Sequence, residues 1–76
     1  MTSAQFDRAL EAFCVRRPFS NFIVEFMSGN HVLVRHPEAI RRRGDLYTMR
    51  LPDGGNIVFA AESVSRLLDV PTTPAI

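Results

Sequence analysis

The sequence predicts a mostly β domain of the α+β class: one N-terminal helix followed by a five-stranded antiparallel sheet, strongly bent or closed into a small barrel. Two observations lead to this prediction. Apolar residues recur with the helical period at the start of the chain, whereas from residue 22 onward they alternate with a period of two. Short antiparallel strands of this kind bury their apolar faces best when the sheet curls on itself, with the helix covering an open end.

Length and composition restrict the organisation of the chain. Its 76 residues allow one domain, which we assign to residues 1–70, and the proline-containing, aperiodic segment 71–76 is predicted to be a tail. No apolar run approaches the roughly 20 residues that cross a bilayer, so no membrane partner is expected. The N-terminus lacks the pattern of a secretory signal, and the single Cys14 cannot form an internal disulfide. We therefore expect a cytoplasmic protein.

The helix is predicted from its cap and its apolar stripe. Thr2 and Gln5 have the spacing of a capping box, in which each side chain accepts a hydrogen bond from the other residue's backbone amide. Pro18 disfavours helical geometry at Arg17 and is expected to end the helix, leaving Phe19 in an extended connector that folds onto the core. The stripe at helical spacing consists of Phe6, Ala9, Leu10, Phe13 and Cys14.

Period-two patterns and turn residues define the five strands. The first begins at Phe22 and alternates through residue 27, and the turn residues 28–30 lead into a second strand at 31–35. The third, fourth and fifth strands are predicted at residues 46–51, 57–61 and 64–70, with a tight hairpin turn at 52–55.

The basic segment is predicted to be a loop. Pro37 has no amide hydrogen to donate to a sheet, so strand pairing is expected to fail there. His36, Pro37 and Glu38 can instead open a single helical turn with proline at its first position, a structural role for this segment. The three arginines at 41–43 would then lie in the loop that follows.

The order of helix, hairpin, loop, hairpin and final strand resembles the Sm-like fold and, more loosely, SH3-like barrels. Three stretches are similar to the bacterial Hfq type of Sm-like protein: IVEFMSGNHVLV, GDLYTMRLPDG and NIVFAAESVSRLLDVP. The resemblance implies RNA binding and a homo-oligomeric ring formed by pairing of edge strands. It does not carry over the family's lysine–histidine pair, which contributes to a central RNA-binding pore, because Ala60 and Ala61 occupy those positions. The glutamine of the family's N-terminal helix also has no clear counterpart.

A second resemblance is to small uncharacterised bacterial proteins. Their pattern is RPF, an apolar strand, a glycine turn and V-x-H-P-E, which matches residues 17–19, Gly29 and residues 34–38. This group has no assigned function that could be transferred, so the likeness implies a bacterial protein without indicating an activity.

The strongest candidate site is a set of arginines between residues 31 and 50. Guanidinium groups suit bidentate contacts to phosphate, which favours RNA or single-stranded nucleic acid as the partner. An alternative is a solvated loop whose arginines pair with Glu38, Asp45 or Asp53, and another is contact with an acidic protein. The arginines are Arg35, Arg41, Arg42, Arg43 and Arg50.

Tyr47 is the aromatic residue assigned to the same interface. It shares a strand face with Met49 and Leu51 and carries a polar tip, so its ring could stack on a base or, alternatively, pack in a subunit interface.

Residues that could carry metal or catalytic chemistry do not form a recognisable set. His31 and His36 are separated by an odd number of positions, which in an extended segment points them to opposite faces, so no metal site is predicted. His36 is assigned a structural role in the turn, with pH sensing or partner contact as the alternative. Cys14 lies on the apolar helix stripe, where a buried thiol is unreactive. Ser63 and Ser65 have no histidine and acid nearby in sequence, and no cofactor motif is present.

Together these observations predict a non-catalytic binding module rather than an enzyme. The leading hypothesis is an Sm-like module that binds RNA or single-stranded nucleic acid through its basic loop. The alternative is a protein-interaction or self-assembly module, joined through strand edges and Phe19, without nucleic-acid binding.

Overall fold

The computed structural model describes residues 1–70, which form one helix and six strands in two three-stranded antiparallel sheets. The elements in chain order are α1 (Ser3–Cys14), β1 (Phe22–Phe26), β2 (His31–Val34), β3 (Ile40–Arg43), β4 (Leu46–Arg50), β5 (Asn56–Phe59), a 3-10 turn (Ala61–Ser63) and β6 (Val64–Asp69). The tail predicted at 71–76 lies outside the described residues. The combination of one helix with six strands confirms the predicted α+β, mostly β class.

Helix α1 begins with the predicted capping box. Thr2 Oγ1 accepts from the Gln5 amide at 3.1 Å, and Gln5 Oε1 accepts from the Thr2 amide at 2.9 Å. The helix ends at Cys14 with Val15 as its C-cap, earlier than the Pro18 signal indicated. Within residues 1–70, no helix combines the length and the apolar character that crossing a membrane requires.

The six strands correct the predicted single five-stranded sheet. One sheet has the order β2-β1-β6 and the other the order β3-β4-β5, and no strand pairing joins them within residues 1–70, so the barrel is not closed. The difference arises at Pro37. The Ala39 amide donates to the His36 carbonyl at 3.1 Å, which makes a β-turn with proline at its second position in place of the predicted helical turn. The chain then resumes as β3.

The core lies between the two sheets and under the helix. Phe6 of α1 is fully buried and meets the rings of Tyr47 and Phe59 edge-on, with centroids 4.6 and 5.7 Å away. Phe19 packs against this core, with its ring centroid 6.1 Å from that of Phe22, which confirms the prediction for the connector. The buried residues come from every layer: Phe6, Phe22, Val24, Val34, Ile40, Tyr47, Met49, Phe59, Ala61 and Val64.

Candidate nucleic-acid interface

The three consecutive arginines lie on an edge strand, not in a loop. They belong to β3, which pairs antiparallel with β4 so that Arg41 faces Thr48 and Arg43 faces Leu46. A two-residue loop of Gly44 and Asp45 joins the strands, and Gly44 has a φ of 61°, a value that favours glycine. A Gly-Asp pair is a known signal for a two-residue hairpin loop, so the sequence did carry the information.

Strand geometry divides the arginines into two groups. Successive side chains of a strand point to opposite faces of the sheet. Ile40 is buried, so its side of β3 faces the core. Arg42 lies on the same side but nearer the exposed end of the strand. Arg41 and Arg43 therefore lie on the outer face.

Arg42 is held by the helix. Its Nη1 donates to the Asp7 carboxylate of α1, its Nε donates to the Gly44 carbonyl at 2.8 Å, and its guanidinium lies 5.8 Å from the centroid of the Tyr47 ring. The sequence suggested Glu38, Asp45 or Asp53 as partners for the arginines, but the structure pairs Arg42 with Asp7. We therefore leave Arg42 out of the candidate interface.

Tyr47 belongs to the core and not to an exposed stacking surface. Its side chain is 1% exposed, its ring packs against those of Phe6 and Phe59, and its hydroxyl donates to Asp7 Oδ1 at 2.6 Å. Burial, together with this hydrogen bond to Asp7, raises the pKa of the phenol above its ordinary value. The face shared with Met49 is the core face, so Tyr47 is accessible neither to a base nor to a second subunit, and its assignment to the interface is corrected.

The other four arginines surround one groove on the outer side of the β3-β4-β5 sheet. The groove has a volume of about 640 Å³, and its walls include the turn at 35–39 and the turn that follows β4. Within residues 1–70, no carboxylate lies within ion-pair distance of these four guanidinium groups. Glu38 is the one acidic residue in the lining. The arginines are Arg35, Arg41, Arg43 and Arg50.

Sequence reasoning missed the uncharged polar residues that accompany these arginines. Thr48 lines the groove opposite Arg41, and Asn56 lines it opposite Arg50 in the β4–β5 ladder. Their positions follow from strand register, which the sequence alone did not fix. The groove therefore combines a strongly positive surface with two short hydrogen-bonding side chains.

The turn at His36, Pro37 and Glu38 shapes one wall of the groove. His36 and Glu38 line it, whereas Pro37 faces the helix, where its carbonyl lies 3.5 Å from Cys14 Sγ and accepts the thiol hydrogen bond. Burial, reinforced by the nearby Glu38 carboxylate, raises the pKa of the Cys14 thiol. The turn therefore contacts the end of α1 through Cys14 and leads into the start of β3.

The remaining candidates for chemistry do not meet in one place. His31 Nε2 lies 2.7 Å from Glu25 Oε2 on the outer face of the other sheet, and Arg66 Nε donates to Glu25 Oε1 at 2.9 Å. Ser63 Oγ donates to the Ala60 carbonyl at 2.7 Å. In the part of the chain that the structure describes, no three His, Cys, Asp or Glu side chains come together as a potential metal site.

Comparison with known proteins assigns no family to this chain. Neither protein-family models, nor curated proteins, nor solved structures give a significant match. The residues of the arginine groove, its charge and its position on the sheet are therefore the features that bear on function.

Proposed function

We propose that this chain is a non-catalytic module that binds RNA or single-stranded nucleic acid through the arginine groove. The observation that carries the proposal is the gathering of four arginines around one concave surface, with no carboxylate of residues 1–70 within ion-pair distance of them. Among the described residues that line the groove, Glu38 alone is acidic, and a guanidinium can donate two parallel hydrogen bonds to a phosphate. A polyanion entering the groove would also release its condensed counterions, which drives association at low salt.

The strand order supports a distant relationship to Sm-like architecture. β2 and β3 follow one another across the turn at 35–39, and they are consistent with two halves of one bent strand. Joining them would give the continuous order β6-β1-β2/β3-β4-β5, a five-stranded arrangement like the one the sequence resembles. RNA binding through the arginine groove would nevertheless use a different site from the family's pore, where this chain has Ala60 and Ala61.

The test compares two double variants that lose the same charge. Arg41→Ala with Arg43→Ala removes two groove arginines, whereas Arg8→Ala with Arg17→Ala removes two exposed arginines at the helix and the connector. Fluorescence anisotropy with a labelled single-stranded RNA should show binding at least about tenfold weaker for the groove variant and nearly unchanged binding for the control.

The salt dependence of the binding constant gives an independent measure of the number of phosphate contacts. Four phosphate contacts to a single strand predict a slope of about −2.8 for log K against log salt, and removing two contacts should reduce it to about −1.4. Equal loss of binding in the two double variants would mean that only net charge matters, which would contradict a specific groove.

A second candidate function, self-assembly or protein interaction, is favoured by the open edge of β5. Met27 and Val58 are 71% and 62% exposed and border an apolar groove of about 530 Å³ between the β1–β2 turn and β5. Phe19, which the sequence also suggested for this role, packs against the core instead. This function predicts a concentration-dependent oligomer in analytical ultracentrifugation that Val58→Asp disrupts. A monomer at all accessible concentrations would contradict it.

A further inference from the structure

No phenylalanine or tyrosine side chain lines the arginine groove, and among residues 1–70 the imidazole of His36 is the one aromatic ring in its lining. The chain has six phenylalanines and one tyrosine, and all lie within the described residues, buried or packed against the core. Modules that bind single strands through their bases stack those bases on aromatic rings, a contact that contributes about 1–3 kcal/mol per base. Among residues 1–70, the groove has only the His36 imidazole, in the turn at 35–39, to provide this contact.

Three of the arginines form a row, two of them on β3 and the third at the end of the neighbouring strand β4. Arg43 and Arg41 are two residues apart on the outer face, and the Arg50 amide donates to the Ala39 carbonyl at 2.9 Å, which places Arg50 beside the next outward position of the same strand. Two residues of a strand span about 6.6 Å, so the row covers roughly 13 Å along the strand. A row of this kind matches a linear chain of phosphates better than a single compact anion.

Besides the arginines, the polar side chains of the lining among residues 1–70 are His36 and Glu38 in the turn and Thr48 and Asn56 on the strands. Thr48 and Asn56 are short, and strand register places them beside the row, opposite Arg41 and Arg50. Phosphate contacts fix the position of a bound strand but carry no sequence information. The described part of the chain therefore supplies this surface with four arginines for backbone contact and with one ring, that of His36, for stacking.

We infer that the groove recognises a linear chain of phosphates and takes neither the base nor the sugar as part of its ligand. This inference rests on the proposed function and specifies the part of the nucleic acid that is bound. Two consequences follow: affinity should be independent of base identity, and inorganic polyphosphate should occupy the same groove as a nucleic-acid backbone.

The experiment compares matched polyanions by anisotropy and competition. The labelled probes are oligouridine, oligoadenosine and an abasic oligonucleotide, each of about 15 phosphates, and the competitor is linear polyphosphate of similar length. We expect dissociation constants within about threefold of one another, and displacement by polyphosphate at equal phosphate concentration. The Arg41→Ala, Arg43→Ala double variant should weaken all four ligands in parallel, whereas the Arg8→Ala, Arg17→Ala control should weaken none.

Different results would overturn different parts of the argument. RNA binding with about tenfold or greater loss for the abasic strand, or failure of polyphosphate to compete, would show that base or sugar is contacted and would overturn only this inference. Absence of binding by every probe would overturn the proposed function as well. Tighter binding of polyphosphate than of RNA, lost in the groove variant, would support the inference and identify polyphosphate as the better source of the phosphate chain.

Discussion

Replacing Asp7 by alanine tests the connection between the helix and the sheet that carries the arginines. The Asp7 carboxylate accepts hydrogen bonds from the buried Tyr47 hydroxyl and from Arg42. Removing it leaves the Tyr47 hydroxyl without this acceptor at the edge of the core. Because an uncompensated buried hydroxyl is costly, the variant should be markedly less stable than the parent protein.

The size of the expected stability loss follows from how exposed each of the two contacts is. The Arg42–Asp7 ion pair has side chains that are 47% and 41% exposed, so it should contribute at most about 1 kcal/mol. The hydrogen bond from Tyr47 to a charged acceptor is worth about 1.5–3 kcal/mol. We expect Asp7→Ala to reduce the free energy of unfolding by about 1.5–4 kcal/mol, the sum of the two contributions. This is a large fraction of the roughly 4–11 kcal/mol typical of a domain of this size.

A double-mutant cycle isolates the Asp7–Tyr47 interaction. Urea unfolding followed by far-ultraviolet circular dichroism on Asp7→Ala, Tyr47→Phe and the double variant should give a coupling of about 1–2 kcal/mol. Asp45→Ala, at an exposed residue of the β3–β4 turn, is the control and should change stability by less than about 0.5 kcal/mol. A coupling near zero, or equal effects of Asp7→Ala and Asp45→Ala, would refute this reasoning.

Three further predictions concern single residues. The pKa of Tyr47 is higher in the folded than in the unfolded state, so its contribution to stability is complete below the unfolded pKa near 10 and declines as pH rises through the folded pKa; absorbance at the phenolate band should titrate at higher pH in native than in urea-unfolded protein, and coincident titrations would contradict this. Gly44→Ala should cost about 1–2 kcal/mol in urea unfolding because φ is 61° there, although nothing crowds the new methyl group; an unchanged midpoint would contradict the backbone argument. The partly buried Cys14 thiol, with its raised pKa, should react with a thiol reagent more slowly than the same thiol in urea-unfolded protein, and equal rates would show that it is exposed.

Local signals in the sequence predicted the parts of the fold that local chemistry determines. The capping box of Thr2 and Gln5, the apolar face of the first strand and the interruption at Pro37 depend on residues close together in the chain, and all are present. The arginines of β3 were assigned to a loop because Pro37 was expected to end strand pairing, and only Ile40 in the strand that follows is apolar. The strand is specified by pairing with β4, a contact that a pattern of hydrophobicity does not reveal.

The candidate site was predicted in composition but not in geometry. Arg41 and Arg42 are adjacent and chemically identical, yet strand alternation directs one to the groove and the other to the helix. The partner of Arg42 is Asp7, 35 residues earlier in the chain. The sequence indicated which residues share a strand face with Tyr47, but not which element packs on that face. Tyr47 was therefore assigned to an exposed interface. Each of these side-chain positions is determined by contacts between residues that are far apart in the chain.

The most direct test of the proposed function is to locate bound RNA on the protein by nuclear magnetic resonance. In ¹⁵N-labelled protein titrated with a single-stranded RNA, the Nε–Hε signals of Arg41, Arg43 and Arg50 should shift together with the amides of β3 and β4. The Nε–Hε signal of Arg42, which already donates to Gly44, should move least among the arginines of this sheet. Shifts concentrated on helix α1 or on the β2-β1-β6 sheet would contradict the account, because RNA would then bind away from the groove.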